Sequence, residues 1–287
     1  MVSLAILFIF GLAIGSFLNV VIVRYAGDDF FSLPRISGRS MCPHCHSQLA
    51  WHDLVPVLSF LWLSGACRFC RARISFQYPV VELLTGFAFV LTASYFYPHY
   101  LFPSVHPYAL LMAFGWGAVL LALIAISAVD MRLMLIPNEL SGIIAFIGLI
   151  FAALNQVAGF SDSFLSNYVF LFPHAVQPFF NHAFGGIVGF AFLSTIVLFS
   201  RGRAMGMGDV KLAGAMGLVV GFPDIIFALA FSFLVGGIWG LGLVLLRARR
   251  ARDTMRSMIP FGPFLVAGFL VHAFFGHALF AWYFSLL

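Results

Sequence analysis

Charge is what this chain has least of. Asp, Glu, Lys and Arg make up 9% of the 287 residues, against 62% hydrophobic ones, whereas soluble domains carry about 25% charged residues. Mean hydropathy is +1.05. These values exclude a soluble globular fold and predict a multispanning membrane protein. The net charge of +5 does not point to nucleic acid, because the cations are scattered among loops between apolar runs, where they set membrane orientation. A basic stretch is also missing ahead of the first apolar run: Met1-Val2-Ser3 carries none, and Arg24 follows the run. That order is the reverse of a cleavable signal peptide, so the run reads as an outside-in anchor. Cysteine is scarce too, with four residues confined to one loop.

Apolar runs dominate what is present. Eight are long enough, or nearly so, to span: roughly 4–23, 79–97, 108–130, 139–158, 183–200, 205–222, 225–246 and 260–284. The expected fold is therefore an all-α polytopic bundle of about eight transmembrane helices. It divides into a first helix (1–23), a cytoplasmic tetracysteine loop (24–78) and a seven-helix core (79–287).

All fifteen Lys and Arg residues fall in alternate loops. Arg24, Arg35, Arg39, Arg68, Arg71 and Arg73 lie in the first loop and Arg132 in the third. Arg201, Arg203 and Lys211 belong to the fifth region, and Arg247, Arg249, Arg250, Arg252 and Arg256 to the seventh. The intervening loops 98–107, 159–182 and 223–224 have none. By the positive-inside rule the N-terminus lies outside and the odd loops face the cytoplasm. The outward loops are rich in Phe, Tyr, Pro and His, as suits an interface belt. Gly11 and Gly15, Gly185, Gly186 and Gly189, and Gly236, Gly237 and Gly240 offer faces for close helix packing.

The cysteines form two Cys-x-x-Cys pairs, Cys42-Pro43-His44-Cys45 and Cys67-Arg68-Phe69-Cys70, separated by 21 residues. Four soft thiolates fit tetrahedral zinc. On the cytoplasmic side thiols stay reduced, which argues against disulfides. Four thiolates leave zinc no open position, so the metal would staple a loop of about 55 residues rather than catalyse. Substitution of one ligand by His44, His46 or His52, and a redox role, are the competing readings.

Two acids stand apart from the rest. Asp130 lies about 33 Å down a helix entered at Tyr108, one hydrocarbon thickness. Leu133 to Ile136 and Pro137 then read as a short turn against the membrane. Asp209, in Gly206-Met207-Gly208-Asp209-Val210-Lys211, lies four residues into an outward-going run, at matching depth. Gly206 and Gly208 favour unusual backbone angles and close approach of another chain. Carboxylates at the edge of a bilayer are costly and usually functional, and a pair of them sharing a proton can activate water. The competing reading pairs each with a neighbouring cation, Arg132 or Lys211. Asp28, Asp29, Asp53 and Asp253 are expected to be solvated in cytoplasmic loops, and Asp162 and Asp224 to face outward. Glu139 is placed to cap the fourth helix. Glu82, at the inner boundary beside the cysteine loop, is a further candidate.

Several motifs together resemble the type IV prepilin peptidases, membrane aspartic proteases that also act as N-methyltransferases. They include Gly15-Ser16-Phe17-Leu18-Asn19-Val20-Val21-Ile22 ending the first helix, and the cysteine loop with Trp51, Asp53, Pro56 and Ser59 between its pairs. Ile74-Ser75-Phe76-Gln77-Tyr78-Pro79-Val80-Val81-Glu82 follows, then the segments Asp130 to Asn138 and Gly206 to Lys211, and Pro260-Phe261-Gly262-Pro263-Phe264. The resemblance runs along nearly the whole chain.

It implies catalytic Asp130 and Asp209, zinc on Cys42, Cys45, Cys67 and Cys70, and residence in the bacterial inner membrane among its lipids. The implied partners are type IV prepilins or the pseudopilins of type II secretion, not nucleic acid. Their basic leader would be cut on the cytoplasmic side and the new N-terminus methylated with S-adenosylmethionine. No Gly-rich turn after a strand marks a site for that cofactor, so Glu82 and the cysteine loop are its expected location by resemblance alone. Two alternatives stay open: a peptidase lacking methylation, and a transporter or channel, since intramembrane acids also line ion paths.

Overall fold

The structure, a computed structural model, describes residues 4–27, 30–31, 38–100, 109–158, 178–247 and 259–285. Asp28, Asp29, Arg35, Asp162, Arg249, Arg250, Arg252, Asp253 and Arg256 lie outside the described residues, as do most of the expected outward loops 98–107 and 159–182. Nine α-helices occur among the described residues: α1 (Leu4–Arg24), α2 (Leu58–Trp62), α3 (Gln77–Tyr100), α4 (Ala109–Leu133), α5 (Asn138–Ala158), α6 (Pro178–Ser200), α7 (Met207–Val220), α8 (Asp224–Arg247) and α9 (Gly262–Ser285). β-Structure among them is limited to two isolated bridges.

Six helices, α1, α3, α4, α5, α6 and α8, are long and apolar enough to cross a membrane, making this a multi-pass membrane protein. All eight expected runs are helical, but α7 and α9 are not among the six, α9 counting only as a shorter apolar helix over Gly262–Gly276. The run expected at 205–222 folds as α7 of 14 residues, about 21 Å at 1.5 Å per residue, which is short of a full span. The fifth run starts at Pro178 rather than residue 183, because its opening aromatics continue the helix.

Two compact units are formed, Met1–Val129 and Asp130–Leu287. Within the first, α1 packs on α3 through the expected Gly11 and Gly15 pair. A Cβ on Gly11 would lie 2.8 Å from the Gly86 Cα, and one on Gly15 2.8 Å from the Glu82 Cα. Within the second, α7 is clasped by α5, α6 and α9. Gly185 of α6 faces Gly217 and Gly221, Gly189 faces the Ala213 carbonyl, and Gly148 of α5 faces Leu218. With no large side chain between them these backbones close up, which is how membrane helices associate without a hydrophobic driving force. The expected Gly236, Gly237 and Gly240 face does not behave this way. Gly237 and Gly240 meet nothing within 4 Å, and α8 instead meets α9 where Gly268 abuts Ser232 and Ala228.

One acid expected in solvent, Asp53, is buried instead, and Asp224 is buried as well. Asp53 is 9% exposed and its carboxylate accepts a 2.8 Å charged hydrogen bond from Arg68. Asp224, at the start of α8, is 2% exposed and meets the His272 Nε2 of α9 at 2.9 Å. In each case a cationic or imidazole partner far along the chain offsets the cost of burial.

Candidate active site and metal centre

Asp130 lies one turn before the end of α4. After it Met134 adopts φ +53°, the left-handed conformation that commonly ends helices, and its N–H returns to the Asp130 carbonyl at 2.9 Å. Pro137 then introduces α5, so the expected short turn is present, and Glu139 falls in the first turn of α5 as expected. The Asp130 side chain is buried, and its Oδ2 accepts the Gly262 N–H at 2.9 Å. Gly262 is the first residue of α9. The carboxylate therefore sits on the positive end of that helix.

Asp209 occupies the first turn of α7, also buried. Its Oδ2 accepts the Gly206 N–H at 3.2 Å, a reach back to the capping residue that satisfies one otherwise free donor. Gly206 has ordinary extended angles, φ −85° and ψ 159°, so the expected unusual backbone is not what the glycines provide. Close approach is. A Cβ on Gly208 would come within 3.0 Å of the Ile136 Cβ, and Lys211 Nζ donates to Asn138 Oδ1 at 2.8 Å. The start of α7 and the turn after α4 thus lie against each other, and the two carboxylates are within electrostatic reach. Lys211 is bound by an amide, not by Asp209. Each aspartate spends its Oδ2 on a backbone N–H.

A groove of about 690 Å³ opens beside this corner, between α5, α6 and α7. Asn138 and Lys211 stand at one end, and Gly142, Ala183, Gly186 and Leu218 line its apolar length.

In the first unit the two cysteine knuckles have the same fold. Cys42 N–H bonds the Ser47 carbonyl, and Cys67 N–H the Ala72 carbonyl. His46 N–H returns to Cys42 and Arg71 N–H to Cys67. His46 and Arg71 both take positive φ, +54° and +57°. The bridges Met41 to Gln48 and Ala66 to Arg73 close the two loops. All four sulfurs lie within 4.8 Å of one another, with Cys42 to Cys70 at 3.8 Å and Cys45 to Cys67 at 4.0 Å. A tetrahedron with Zn–S bonds of about 2.3 Å needs sulfurs about 3.8 Å apart, so the thiols fit zinc. His44, His46 and His52 are not part of this cluster. The Ser47 hydroxyl and backbone N–H lower the Cys45 thiol to about 6. The Ala72 N–H favours the Cys70 thiolate, but desolvation and three neighbouring thiols outweigh it and push Cys70 up to about 11.

Glu82 also belongs to the first unit. It is buried, accepts the Val57 N–H at 2.7 Å and is bonded by Ser16. Nearby in the chain, Asn19 is 1% exposed and donates to the Tyr78 carbonyl at 3.0 Å, while its Oδ1 and the Gln77 Nε2 are buried without a partner.

Residues missed in the sequence are Gly262, Asn138, Arg68 and His272. Gly262 and Asn138 lay inside quoted motifs. Neither Arg68 nor His272 carries a local signal, because their acids are 15 and 48 residues away.

Comparison with known proteins fits this geometry. Residues 9–96 match the Bacterial Peptidase A24 N-terminal domain, and residues 117–241 the Type IV leader peptidase family. The chain is 31% identical over 313 residues to a prepilin leader peptidase/N-methyltransferase of Aeromonas salmonicida, covering 98% of this chain and 94% of that one. It is 33% identical over 282 residues to the protein of that name in Bacillus subtilis, covering 98% and 97%, and 33% over 302 residues to that of Burkholderia pseudomallei, covering 96% and 86%. No solved structure matches.

Proposed function

Because the chain belongs to the type IV leader peptidase family, we propose that it cleaves the leader of type IV prepilins by aspartyl hydrolysis at Asp130 and Asp209 and methylates the new N-terminus. The observation that carries the hydrolytic reading is the pairing of two buried carboxylates 79 residues apart, each anchored by a single backbone N–H at a helix start. One carboxylate, ionised, takes a proton from water. The other, protonated, polarises the scissile carbonyl. The two titrate as a pair, and neither is assigned as base. The backbone anchors fix the carboxylates before substrate arrives, so little reorganisation is needed.

Eight crossings with the catalytic corner and cysteine loop on the cytoplasmic side of a bacterial inner membrane are part of the same reading, supported by the positions of the Lys and Arg residues. Pseudopilins of type II secretion are equally suited substrates, because they share the basic leader and apolar segment. The apolar segment would lie along the groove of Gly142, Gly186 and Leu218, which also holds Asn138 and Lys211.

Zinc on Cys42, Cys45, Cys67 and Cys70 would be structural. S-adenosylmethionine would supply a methyl group to the freed amine. The carboxylate of Glu82 and the unpartnered Asn19 oxygen suit a cationic ligand of this kind, and both lie in the first unit. A transporter is the less supported reading, since the aspartates share one membrane boundary instead of a midplane path.

Incubation of membranes containing the chain with a prepilin tests the proposal. Leader removal that disappears in both Asp130→Asn and Asp209→Asn, at equal protein level, is expected. Full cleavage by either variant would overturn the paired-aspartate mechanism. Methyl incorporation lost in Glu82→Gln with cleavage retained would separate the two activities.

A further inference from the structure

The cysteine loop carries an apolar surface that no activity above uses. Helix α2 is five residues long, Leu-Ser-Phe-Leu-Trp. Phe60 packs against Phe76, ring centroids 5.3 Å apart, and against Gly65. Leu58, Leu61 and Trp62, at i, i+3 and i+4, share the opposite face and are 54%, 66% and 81% exposed. Beside α2 the turn Trp51–Asp53 adds Trp51, 80% exposed. Exposed apolar patches of this kind mark an interaction surface.

What covers it follows from depth and charge. The Val57 N–H, immediately before α2, is bonded to the Glu82 carboxylate at 2.7 Å. Val57 is β-branched yet held at φ +60°, a conformation that needs support from its surroundings. Glu82 is five residues into α3, about 7.5 Å along its axis, and inside the apolar stretch Gln77–Tyr95. The start of α2 is thereby pinned at the boundary of the hydrocarbon, where Trp is enriched because its ring is apolar and its N–H seeks water. Residues 38–76 contain four arginines, Arg39, Arg68, Arg71 and Arg73, against one acid, Asp53. A zinc held by four thiolates would remove two charges and leave the segment positive. A bilayer interface with anionic headgroups complements both features.

We propose that Leu58, Leu61, Trp62 and Trp51 form an interfacial foot that seats the cysteine loop on the membrane surface, with the bilayer headgroup region as its occupant. The loop is then held at both ends by helices and in its middle by lipid. This fixes its height without any protein partner, and does not depend on the prepilin reading.

The test uses the full chain, zinc-loaded, in vesicles of phosphatidylcholine and phosphatidylglycerol at low protein-to-lipid ratio. Tryptophan emission is quenched from the lipid, by acyl chains brominated near the glycerol, and from water, by iodide. The difference between the unmodified chain and Trp62→Phe isolates Trp62. Trp51→Phe gives a second, independent reading, and zinc content shows that each variant is folded. The expected Trp62 component is quenched by brominated lipid at least about twofold more than by iodide, as for Trp elsewhere in an interfacial belt. Iodide quenching without lipid quenching would put the face in water and overturn the proposal. Quenching by neither would mean protein covers it, from another part of the chain or a second copy, and would overturn it equally.

Discussion

Asp130 accepts a 2.9 Å hydrogen bond from the backbone N–H of Gly262, 132 residues further along the chain. The contact leaves no room for a side chain at position 262, where a Cβ would stand 2.7 Å from the same carboxylate oxygen. Gly262→Ala keeps the N–H but must displace the Asp130 carboxylate. Such crowding costs about 1–3 kcal/mol, and if it falls on the reacting geometry the cleavage rate drops roughly 5- to 150-fold at one decade per 1.36 kcal/mol. Initial rates of leader removal, normalised to protein level, check this. Unchanged rates would mean the carboxylate position is not critical.

Asp130→Asn and Asp209→Asn each keep an acceptor oxygen for Gly262 or Gly206 and remove the titratable group. Both variants should accumulate normally and lose at least about 100-fold in cleavage, the usual contribution of a positioned acid or base. Asp209→Ala should in addition lose about 1 kcal/mol of stability, because it strips the helix start of its reach-back cap. A thermal melt in detergent separates the two effects.

The helices were legible in the sequence because apolar length is a strong signal in a chain with so little charge. Their ends were less so. At α7 the apolar run continues through residue 222, but Gly221 at φ +80° and Pro223 stop the helix at Val220. The cysteines were legible as a spacing pattern, and Asp130 and Asp209 as acids at the ends of apolar runs. Their partners were not, since a backbone N–H such as that of Gly262 has no sequence signature. Asp53 misled for the same reason: a loop position suggests solvent, and only the arrival of Arg68 reveals burial.

Zinc should copurify at about one ion per chain, as expected of a closed tetrathiolate site. Cys70→Ser should lower zinc content and make residues 38–76 sensitive to protease, because each knuckle is closed by one isolated bridge and only the turn Trp51–Asp53 and the short helix α2 lie between them. Metal needs the thiolates, so acid competes with it and affinity falls as pH falls. Elemental analysis after dialysis at decreasing pH measures this. Full zinc retention by Cys70→Ser would exclude it as a ligand.

Gly217 and Gly237 make a matched pair for packing. A Cβ on Gly217 would meet the Gly185 carbonyl in a neighbouring backbone that cannot swing aside, whereas Gly237 meets nothing within 4 Å. Gly217→Ala should cost about 1–3 kcal/mol or more from overpacking. Gly237→Ala should be neutral or gain about 0.5–1 kcal/mol from helix propensity. Melting temperatures in detergent distinguish them, and equal values would deny that α6 and α7 depend on backbone contact.

The buried contact between His272 and Asp224, 2.9 Å long and joining α8 to α9, should serve stability and not chemistry. The ring of His272 stacks on Phe227 with planes 16° apart. His272→Ala removes the imidazole that the buried Asp224 carboxylate meets and should cost about 1–3 kcal/mol. Asp224→Asn made in the His272→Ala background should recover part of that loss, because a neutral amide is cheaper to bury than a carboxylate. A double-mutant cycle of melting temperatures gives the coupling, expected at about 0.5–3 kcal/mol. Cleavage at a temperature where both variants stay folded should be unchanged. Loss of cleavage without loss of stability would instead connect this pair to the catalytic corner and require a proton or conformational link along α9, whose first residue holds Asp130.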